Sequence, residues 1–334
     1  MAELRWHPLI NDWVIIASHR QNRPQMPKDW CPFCPGSGKV PDKFDVLKYD
    51  NDFPALSQEP PIPDDVPTNF YKMTEAYGKC EVILYSSEHT VTLPELSIGH
   101  IKKLVDLWTE RFIEIKKDKK IKYIFIFENR GELVGVTMPH PHGQIYGYSY
   151  IPKKLELEIN ACKDYYKENK SCLICDMNKD ELEFRQRVIF ENEDFIVFLP
   201  FFSEYPYGIY ITSKRHLQNL TQFTEREKLN LAKTLKEAAG TLDSLFDFQF
   251  PYMMCMHQEP VNCSDCSDFN DFSEYYHFHI EFFPPMRSQN KQKFNASSET
   301  GAWAHANPTK PEEKASELRE AYKKFKAKEK NEEG

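Results

Sequence analysis

Residues 140–144 read His-Pro-His-Gly-Gln and lead into an alternating run from Ile145 to Tyr148. Alternate residues of an extended strand face the same side, so this stretch predicts a strand with His140, His142 and Gln144 on one face. Proline and glycine are poor strand residues, and their presence between these polar side chains indicates a site that another molecule approaches closely. The alternative is a solvated strand face that carries three polar residues.

A similar row recurs at residues 277–281, His-Phe-His-Ile-Glu, and indicates that the chain is duplicated. The matching points of the two halves are Cys31/Cys34 and Cys172/Cys175, His89 and His216, and His140 and His277. A long amphipathic helix follows each isolated histidine, from about Ser97 to Lys117 in the first half and from a Thr224-x-x-Glu227 capping box in the second. The pattern predicts an α+β fold of two tandem repeats, each an antiparallel sheet with a packed long helix.

The bulk composition limits what the protein can be. Its 334 residues suffice for about two domains, and we predict an N-terminal repeat at 1–157, a C-terminal repeat at 158–309 and a charged, solvated helix with a frayed tail at 310–334. The net charge of −8 argues against a broad nucleic-acid surface. No apolar run approaches the roughly 18 residues of a membrane span, and the first residues lack the layout of a signal peptide. We therefore expect a cytoplasmic protein without nucleic-acid or membrane partners.

Cysteine and histidine side chains form two sets that suit tetrahedral zinc. The first set is Cys31, Cys34, His89 and His140, and the second is Cys172, Cys175, His216 and His277. Since protein atoms would fill all four positions, neither zinc would activate water, and their role would be to hold the strand that carries His142. Cys263 and Cys266 compete with the histidines of the second set, although a reduced pair in an acidic loop is the simpler interpretation. A redox role for Cys31/Cys34 is disfavoured because the expected strand before the pair and helix after it are lacking.

His142 is the predicted reactive residue. A neutral imidazole is a good nucleophile towards phosphorus near neutral pH, and attack on a diphosphate would give a histidine phosphoramidate that a second phosphate could then attack. Gln144 would stabilise this adduct, because an amide donates and accepts hydrogen bonds without titrating. An imidazole at this position could instead act as a general acid or base and activate water. Glutamine therefore favours transfer over hydrolysis.

Five stretches carry a resemblance to a known family. They are Ser18-His-Arg-Gln-Asn-Arg23-Pro24, Thr92-Leu-Pro-Glu-Leu96, Asn129, His140-Pro-His-Gly-Gln144 and Pro284-Pro285 with Lys293-Phe294. In these, and over nearly its full length, the chain resembles the galactose-1-phosphate uridylyltransferase family of the histidine-triad superfamily. The resemblance implies two tandem histidine-triad-like repeats, a homodimer, and exchange of UMP between UDP-glucose and galactose 1-phosphate.

The resemblance also implies roles for single residues. His142 matches the nucleophile that becomes uridylylated, and Gln144 matches the glutamine that stabilises the adduct. The binding positions are Arg20 and Arg23 at the phosphates, Asn51 and Asp52 near the uridine ribose, Asn129 and Thr137 at the nucleotide phosphates, and Lys293, Phe294 and Glu299 at the sugar phosphate. The last three would reach in from the neighbouring subunit. As simpler alternatives, Arg20 or Lys293 is a surface charge and Asp52 is a turn residue.

Several positions depart from the family pattern. Bacterial members hold a second metal with one glutamate and three histidines, whose nearest matches are Glu158, His257, His279 and Glu281. Relatives with a second Cys2His2 zinc fit the chain better; some are adenylyl-type transferases, but these usually carry serine in place of Gly143. His305 stands where the family often has glutamine, and the bulky neighbours of His279 favour a structural or metal-linked role for it. The remaining alternatives are an ADP-sugar phosphorylase or hydrolase and a zinc-stabilised nucleotide-binding module.

Overall fold

The computed structural model describes residues 2–22, 30–64, 69–263 and 271–332, and these contain fourteen β-strands and six α-helices. The strands are β1 (Ala2–His7), β2 (Asp12–Ala17), β3 (Leu47–Asp50), β4 (Met73–Glu75), β5 (Gly78–Leu84), β6 (Tyr123–Arg130), β7 (His142–Tyr148), β8 (Val188–Glu191), β9 (Phe195–Phe198), β10 (Tyr210–Ser213), β11 (Tyr252–His257), β12 (His279–Phe283), β13 (Met286–Ser288) and β14 (Lys291–Gln292). The helices are α1 (Ile98–Lys116), α2 (Lys153–Asn169), α3 (Leu173–Phe184), α4 (Glu225–Phe246), α5 (Ser297–Ala302) and α6 (Pro311–Glu332). None of these helices is both long enough and apolar enough to cross a membrane.

The duplication predicted from the sequence is visible in the main sheet. Nine antiparallel strands lie in the order β3-β5-β7-β6-β11-β12-β10-β9-β8. Strands β5, β7 and β6 of the first half correspond to β10, β12 and β11 of the second, and the halves meet where β6 pairs with β11. The α+β class is therefore confirmed, and the two repeats share one continuous sheet. Strands β2-β1-β4 form a second sheet and β13-β14 a third.

The two long helices begin where the sequence predicts. The Ser97 side chain caps α1 by accepting from the backbone N–H of His100, and Thr224 and Glu227 form the capping box of α4. Both helices bury one apolar stripe in the main core, with Trp108 of α1 and Leu235 of α4 fully buried. The packing of these helices on the sheet holds the strands in place. The candidate site lies at the end of one of these strands, β7.

Three helices differ from the sequence-based expectation. Helices α2 and α3, which connect the repeats, escaped prediction because their buried faces are sparse: α2 buries only Leu155, Ile159 and Cys162. The C-terminal helix is not a solvated tail, because Leu318 of α6 is buried in the main core and Phe325 packs against Gly240 of α4. Its high content of Glu and Lys belongs to the opposite, exposed face.

Candidate active site and metal centres

Strand β7 presents two of the three polar residues that the sequence predicts on one face, His142 and Gln144, while His140 lies in a bend just before the strand and is buried. The strand lies between β5 and β6, with His142 opposite Leu84 and Gln144 opposite Phe127. His142 and Gln144 are half-buried, whereas Gly143 between them is buried on the other side of the sheet. Because β7 is hydrogen-bonded to a strand on each side, its backbone position is restricted, and the backbone sets the direction of the His142 side chain.

The ring of His142 is oriented by the backbone. Its Nδ1 atom lies 2.7 Å from the carbonyl oxygen of His140, so Nδ1 carries the proton and Nε2 carries the lone pair. The ring of Phe33 lies beside the imidazole, with the ring centroids 5.6 Å apart. This tautomer presents Nε2 as a nucleophile while the protonated nitrogen remains hydrogen-bonded to the protein.

The first Cys2His2 set comes together next to His142. Cys34 Sγ lies 3.2 Å from His89 Nδ1 and 3.6 Å from His140 Nδ1, and one ligand atom from each of the four residues, including Cys31, lies within 4.8 Å of the others. His140 Nε2 donates to the carbonyl oxygen of Ser86 at 2.8 Å, which points Nδ1 at the sulfurs. Burial lowers the pKa of His140 to about 4, which favours the neutral, metal-binding form. These features fit a zinc ion.

The second Cys2His2 set comes together in the other repeat, although only Cys172, Cys175 and His216 lie mutually within 4.8 Å. His277 Nδ1 lies 3.6 Å from the sulfur of Cys172 and 3.4 Å from that of Cys175, and His216 groups with the two cysteines. The Nε2 atoms of His277 and His216 face the backbone carbonyls of Ser213 and Tyr276 at 2.9 and 2.8 Å. Of the competing pair, Cys263 packs among apolar residues, and Cys266 lies outside the described residues.

A third group joins acidic and histidine side chains from α2, β11 and β12. Glu158 Oε2 lies 2.7 Å from His257 Nδ1, and Glu158 Oε1 lies 3.4 Å from His279 Nε2. Glu281 completes the group and is paired with Lys154 at 2.8 Å. The sequence left this group and the second Cys2His2 set as alternatives, and the structure contains both as separate groups that could hold a metal. Two carboxylates and two imidazoles suit a divalent cation, while Lys154 already compensates part of their charge.

A cavity of about 350 Å³ lies on the polar face of β7. It is lined by His142 and Gln144 on one side and by Asn51, Asp52, Tyr49 and Phe33 on the other. The hydroxyl of Tyr49 donates to Asp52, at 2.9 and 3.0 Å from its two carboxylate oxygens. Aromatic walls with a few polar groups are typical of a site for a flat, hydrogen-bonding ligand.

A second cavity, of about 370 Å³, also borders His142, where β7 begins. Its other walls include Asn129, Glu128, Tyr85 and Thr92. His142 thus lines both cavities. The hydroxyl oxygen of Thr137, in the loop between β6 and β7, is buried and has no hydrogen-bond partner among the described residues. A ligand oxygen could satisfy it.

The remaining predicted binding residues lie in two places. Arg20 is half-buried, with its guanidinium 3.4 Å from the hydroxyl of Tyr146 on the same face of β7 as Gln144. Arg23 lies outside the described residues. The predicted sugar-phosphate residues Lys293, Phe294 and Glu299, together with His305, follow β12 and line neither cavity beside His142.

The equivalent of His142 in the second repeat is enclosed. His279 is 2% exposed, with Tyr210 stacked on one side and His257 on the other at centroid distances of 6.0 and 4.7 Å. Its Nε2 faces Glu158 and Glu281. His279 lines neither of the two cavities that border His142, and its burial supports the structural or metal-linked role predicted for it.

Comparison with known proteins assigns the chain to a family. The family model for the N-terminal domain of galactose-1-phosphate uridyl transferase matches residues 1–152, and the model for the C-terminal domain matches residues 158–330. The chain belongs to the galactose-1-phosphate uridyl transferase family.

Relatives in this family cover the chain almost completely. It is 42% identical to the galactose-1-phosphate uridylyltransferase of Thermotoga maritima, over 96% of this chain and 98% of that protein, and 31% identical to the Haemophilus influenzae protein of the same name, over 87% and 86%. A solved uridylyltransferase structure is 30% identical, covers 96% of this chain and 99% of that one, and superposes with a TM-score of 0.87. An ADP-glucose phosphorylase from Arabidopsis thaliana, 24% identical over 96% and 99% of the two chains with a TM-score of 0.72, shares the fold.

For this member of the uridyl transferase family, sequence reasoning missed several site residues. Phe33 and Tyr49 line the cavity on the polar face of β7, and Lys154 pairs with Glu281 in the acidic group. An aromatic residue inside a Cys-x-x-Cys pair was the available signal for Phe33, because zinc ligation would hold it near the histidine row. Lys154 gave no signal, because its contact spans 127 positions.

Proposed function

We propose that the protein transfers UMP from UDP-glucose to galactose 1-phosphate in two displacements through a uridylyl-histidine at His142. The observation that carries this proposal is that His142 lines two cavities while its Nδ1 is hydrogen-bonded to the carbonyl oxygen of His140. A nucleophile between two pockets can exchange one phosphate partner for another without moving the nucleotide.

In the first displacement, Nε2 of His142 attacks the phosphorus that carries the uridine. The N–P bond forms as the P–O bond to the second phosphate breaks, and glucose 1-phosphate leaves with the electron pair. In the second, a phosphate oxygen of galactose 1-phosphate attacks the same phosphorus and the electron pair returns to Nε2. The proton on Nδ1 stays hydrogen-bonded to the His140 carbonyl, which stabilises the positive charge that the ring acquires.

The other site residues bind and orient. Gln144 contacts a nonbridging phosphate oxygen of the adduct, and Asn129 and Thr137 contact phosphate oxygens, a role supported by the unsatisfied buried hydroxyl of Thr137. Asn51 and Asp52 bind the ribose in the cavity that they share with His142. Arg20 and Arg23 meet the negative charge of the phosphates.

Zinc is proposed for the two Cys2His2 sets. When bound, zinc supplies a closed tetrahedral cross-link and no reactive water. Cys31, Cys34, His89 and His140 would hold the start of β7, and Cys172, Cys175, His216 and His277 the equivalent point of the second repeat. We propose that the acidic group of Glu158 and Glu281 is balanced by Lys154 and its histidines and is not a third zinc site.

A homodimer completes the proposed site. Lys293, Phe294 and Glu299 line neither cavity of their own chain, and the Phe294 side chain is exposed. In the proposed dimer, these residues bind the sugar phosphate in the partner's site. We also propose a cytoplasmic location, where the metal-binding thiols remain reduced.

The test is a mass measurement with donor alone. Incubation with UDP-glucose should add one UMP to the intact chain, with the label on His142, and ADP-glucose should add nothing. His142→Gly should abolish labelling and retain both zinc ions, because it removes no ligand. Labelling by ADP-glucose alone would instead identify an adenylyl enzyme, and tight nucleotide binding without an adduct would identify a binding module.

A further inference from the structure

We infer that Tyr85 is a positioning residue for the transfer: its hydroxyl packs behind Gly143 and sets the direction in which His142 projects from β7. This inference rests on the proposed function of His142 as nucleophile. The Tyr85 side chain borders the cavity that contains Asn129 and is absent from the lining of the cavity that contains Asn51 and Asp52.

The contact behind Gly143 is unusually close. A Cβ atom built on Gly143 would lie 2.4 Å from the Tyr85 hydroxyl, 3.1 Å from its Cζ atom and 3.1 Å from the carbonyl oxygen of Phe127. Real Cβ atoms essentially never approach other atoms within 3.0 Å. Gly143 has no positive φ angle, so glycine is required here for space and not for backbone conformation.

Tyr85 holds the strand on both sides of His142. Its backbone N–H donates to the carbonyl oxygen of Pro141 at 3.0 Å, and its hydroxyl fills the space behind Gly143. Pro141 and Gly143 are the two chain neighbours of His142. A residue that contacts both neighbours controls the local backbone, and the side-chain direction follows from the backbone.

The Tyr85 side chain cannot easily move away. It is 1% exposed, its ring packs edge-on against Trp108 of α1 with centroids 6.0 Å apart, and its hydroxyl is 3.2 Å from Glu128 Oε2. The other carboxylate oxygen of Glu128 accepts from Tyr252 of the second repeat at 3.1 Å. A buried and fully hydrogen-bonded network of this kind holds its members rigidly.

Paired substitutions test the inference. Gly143→Ala should slow uridylylation of His142 at saturating UDP-glucose by about 100-fold, the effect expected of a displacement of about 1 Å. Adding Tyr85→Phe removes the closest atom, and the double variant should label His142 at least about tenfold faster than Gly143→Ala alone. Recovery should be incomplete, because the Phe127 carbonyl remains close. When Tyr252→Phe is added to Gly143→Ala instead, it removes a similar hydrogen bond from the same carboxylate but leaves the Tyr85 hydroxyl behind residue 143, so it should recover nothing.

Tyr85→Phe alone serves as the second variant if the alanine protein does not fold. It should slow uridylylation about tenfold while the dissociation constant for UMP and the zinc content stay close to wild type. The inference is overturned if the double variant is no faster than Gly143→Ala, if Tyr252→Phe restores the rate equally, or if Tyr85→Phe labels at the wild-type rate. Failure of wild-type protein to label His142 at all would instead overturn the proposed function.

Discussion

The Nδ1 atom of His142 lies 2.7 Å from the carbonyl oxygen of His140, so the proposed nucleophile is hydrogen-bonded to the backbone of a proposed zinc ligand. The side chain of His140 is in turn held by Ser86 and faces Cys34. His140 therefore connects three properties of the site: its side chain faces the metal-binding thiols, its position fixes the start of β7, and its carbonyl oxygen sets the tautomer of His142. The following predictions test separate parts of this arrangement.

Replacing Gln144 by histidine should convert part of the transferase activity into hydrolysis. An imidazole at this position can act as an acid or base towards water, an effect worth about 10² or more in rate. We expect the ratio of UMP release to UDP-galactose formation to rise at least about tenfold, measured by chromatography of the products. Gln144→Ala is the matched control, and it should slow transfer without raising hydrolysis; an equal rise in both variants would contradict the proposal.

Elemental analysis of variants should identify the metal sites. Wild-type protein should contain two zinc ions per chain. Cys34→Ser should lose one zinc together with uridylylation, whereas Cys172→Ser should lose one zinc while His142 still reacts, because the second set holds the other repeat. Glu158→Gln combined with Glu281→Gln should leave the zinc content unchanged. A third metal in the wild type that disappears in this double variant would show that the acidic group is a metal site.

Glu128 should make stability depend on pH. Burial raises the pKa of this carboxyl to about 7, against the opposing effects of Arg130 and of the Tyr252 and Tyr85 hydroxyls, while Asp243 adds to the rise. Because the folded pKa lies above the unfolded value of 4.5, the stabilising protonated form is present below about pH 4.5 and is lost as the pH rises through about 7. The free energy of unfolding of wild type relative to Glu128→Gln should fall by about 3 kcal/mol across this range.

Chemical denaturation of both proteins between about pH 4.5 and pH 8 checks this sign. Curves that stay parallel would show that Glu128 keeps one protonation state throughout. Curves that diverge in the opposite direction would show a carboxylate stabilised by Arg130, and would assign the ionised form to the folded protein.

Mixed dimers should reveal whether the site is shared between subunits. A chain with His142→Gly and a chain with Lys293→Ala should each be nearly inactive alone. Coexpressed, half of the dimers pair one chain of each kind, and one site in each mixed dimer is then intact. We expect about a quarter of the wild-type rate. Activity no higher than the average of the two single variants would show that Lys293 does not serve the His142 of the partner subunit, and the site would then not be shared between subunits.

Much of the site could be predicted because its determinants are local. The alternation of His142 and Gln144 follows from strand geometry alone and is confirmed by β7, whereas His140 lies just before the strand begins. The caps at Ser97 and Thr224 are equally local, and both helices begin at the next residue. The boundary proposed at residue 157 and the roles of individual binding residues stay predictions.

By itself, the sequence determined the duplicated α+β plan and the order of ligands, because periodicity and repeated spacing are properties of the chain. Only the tertiary structure decided that the repeats join into one sheet through β6 and β11. It also separated Glu158 and His257 from the second cysteine pair and set Tyr85 behind Gly143. These features depend on side chains that are distant in sequence and adjacent in space, and local patterns carry no information about such packing.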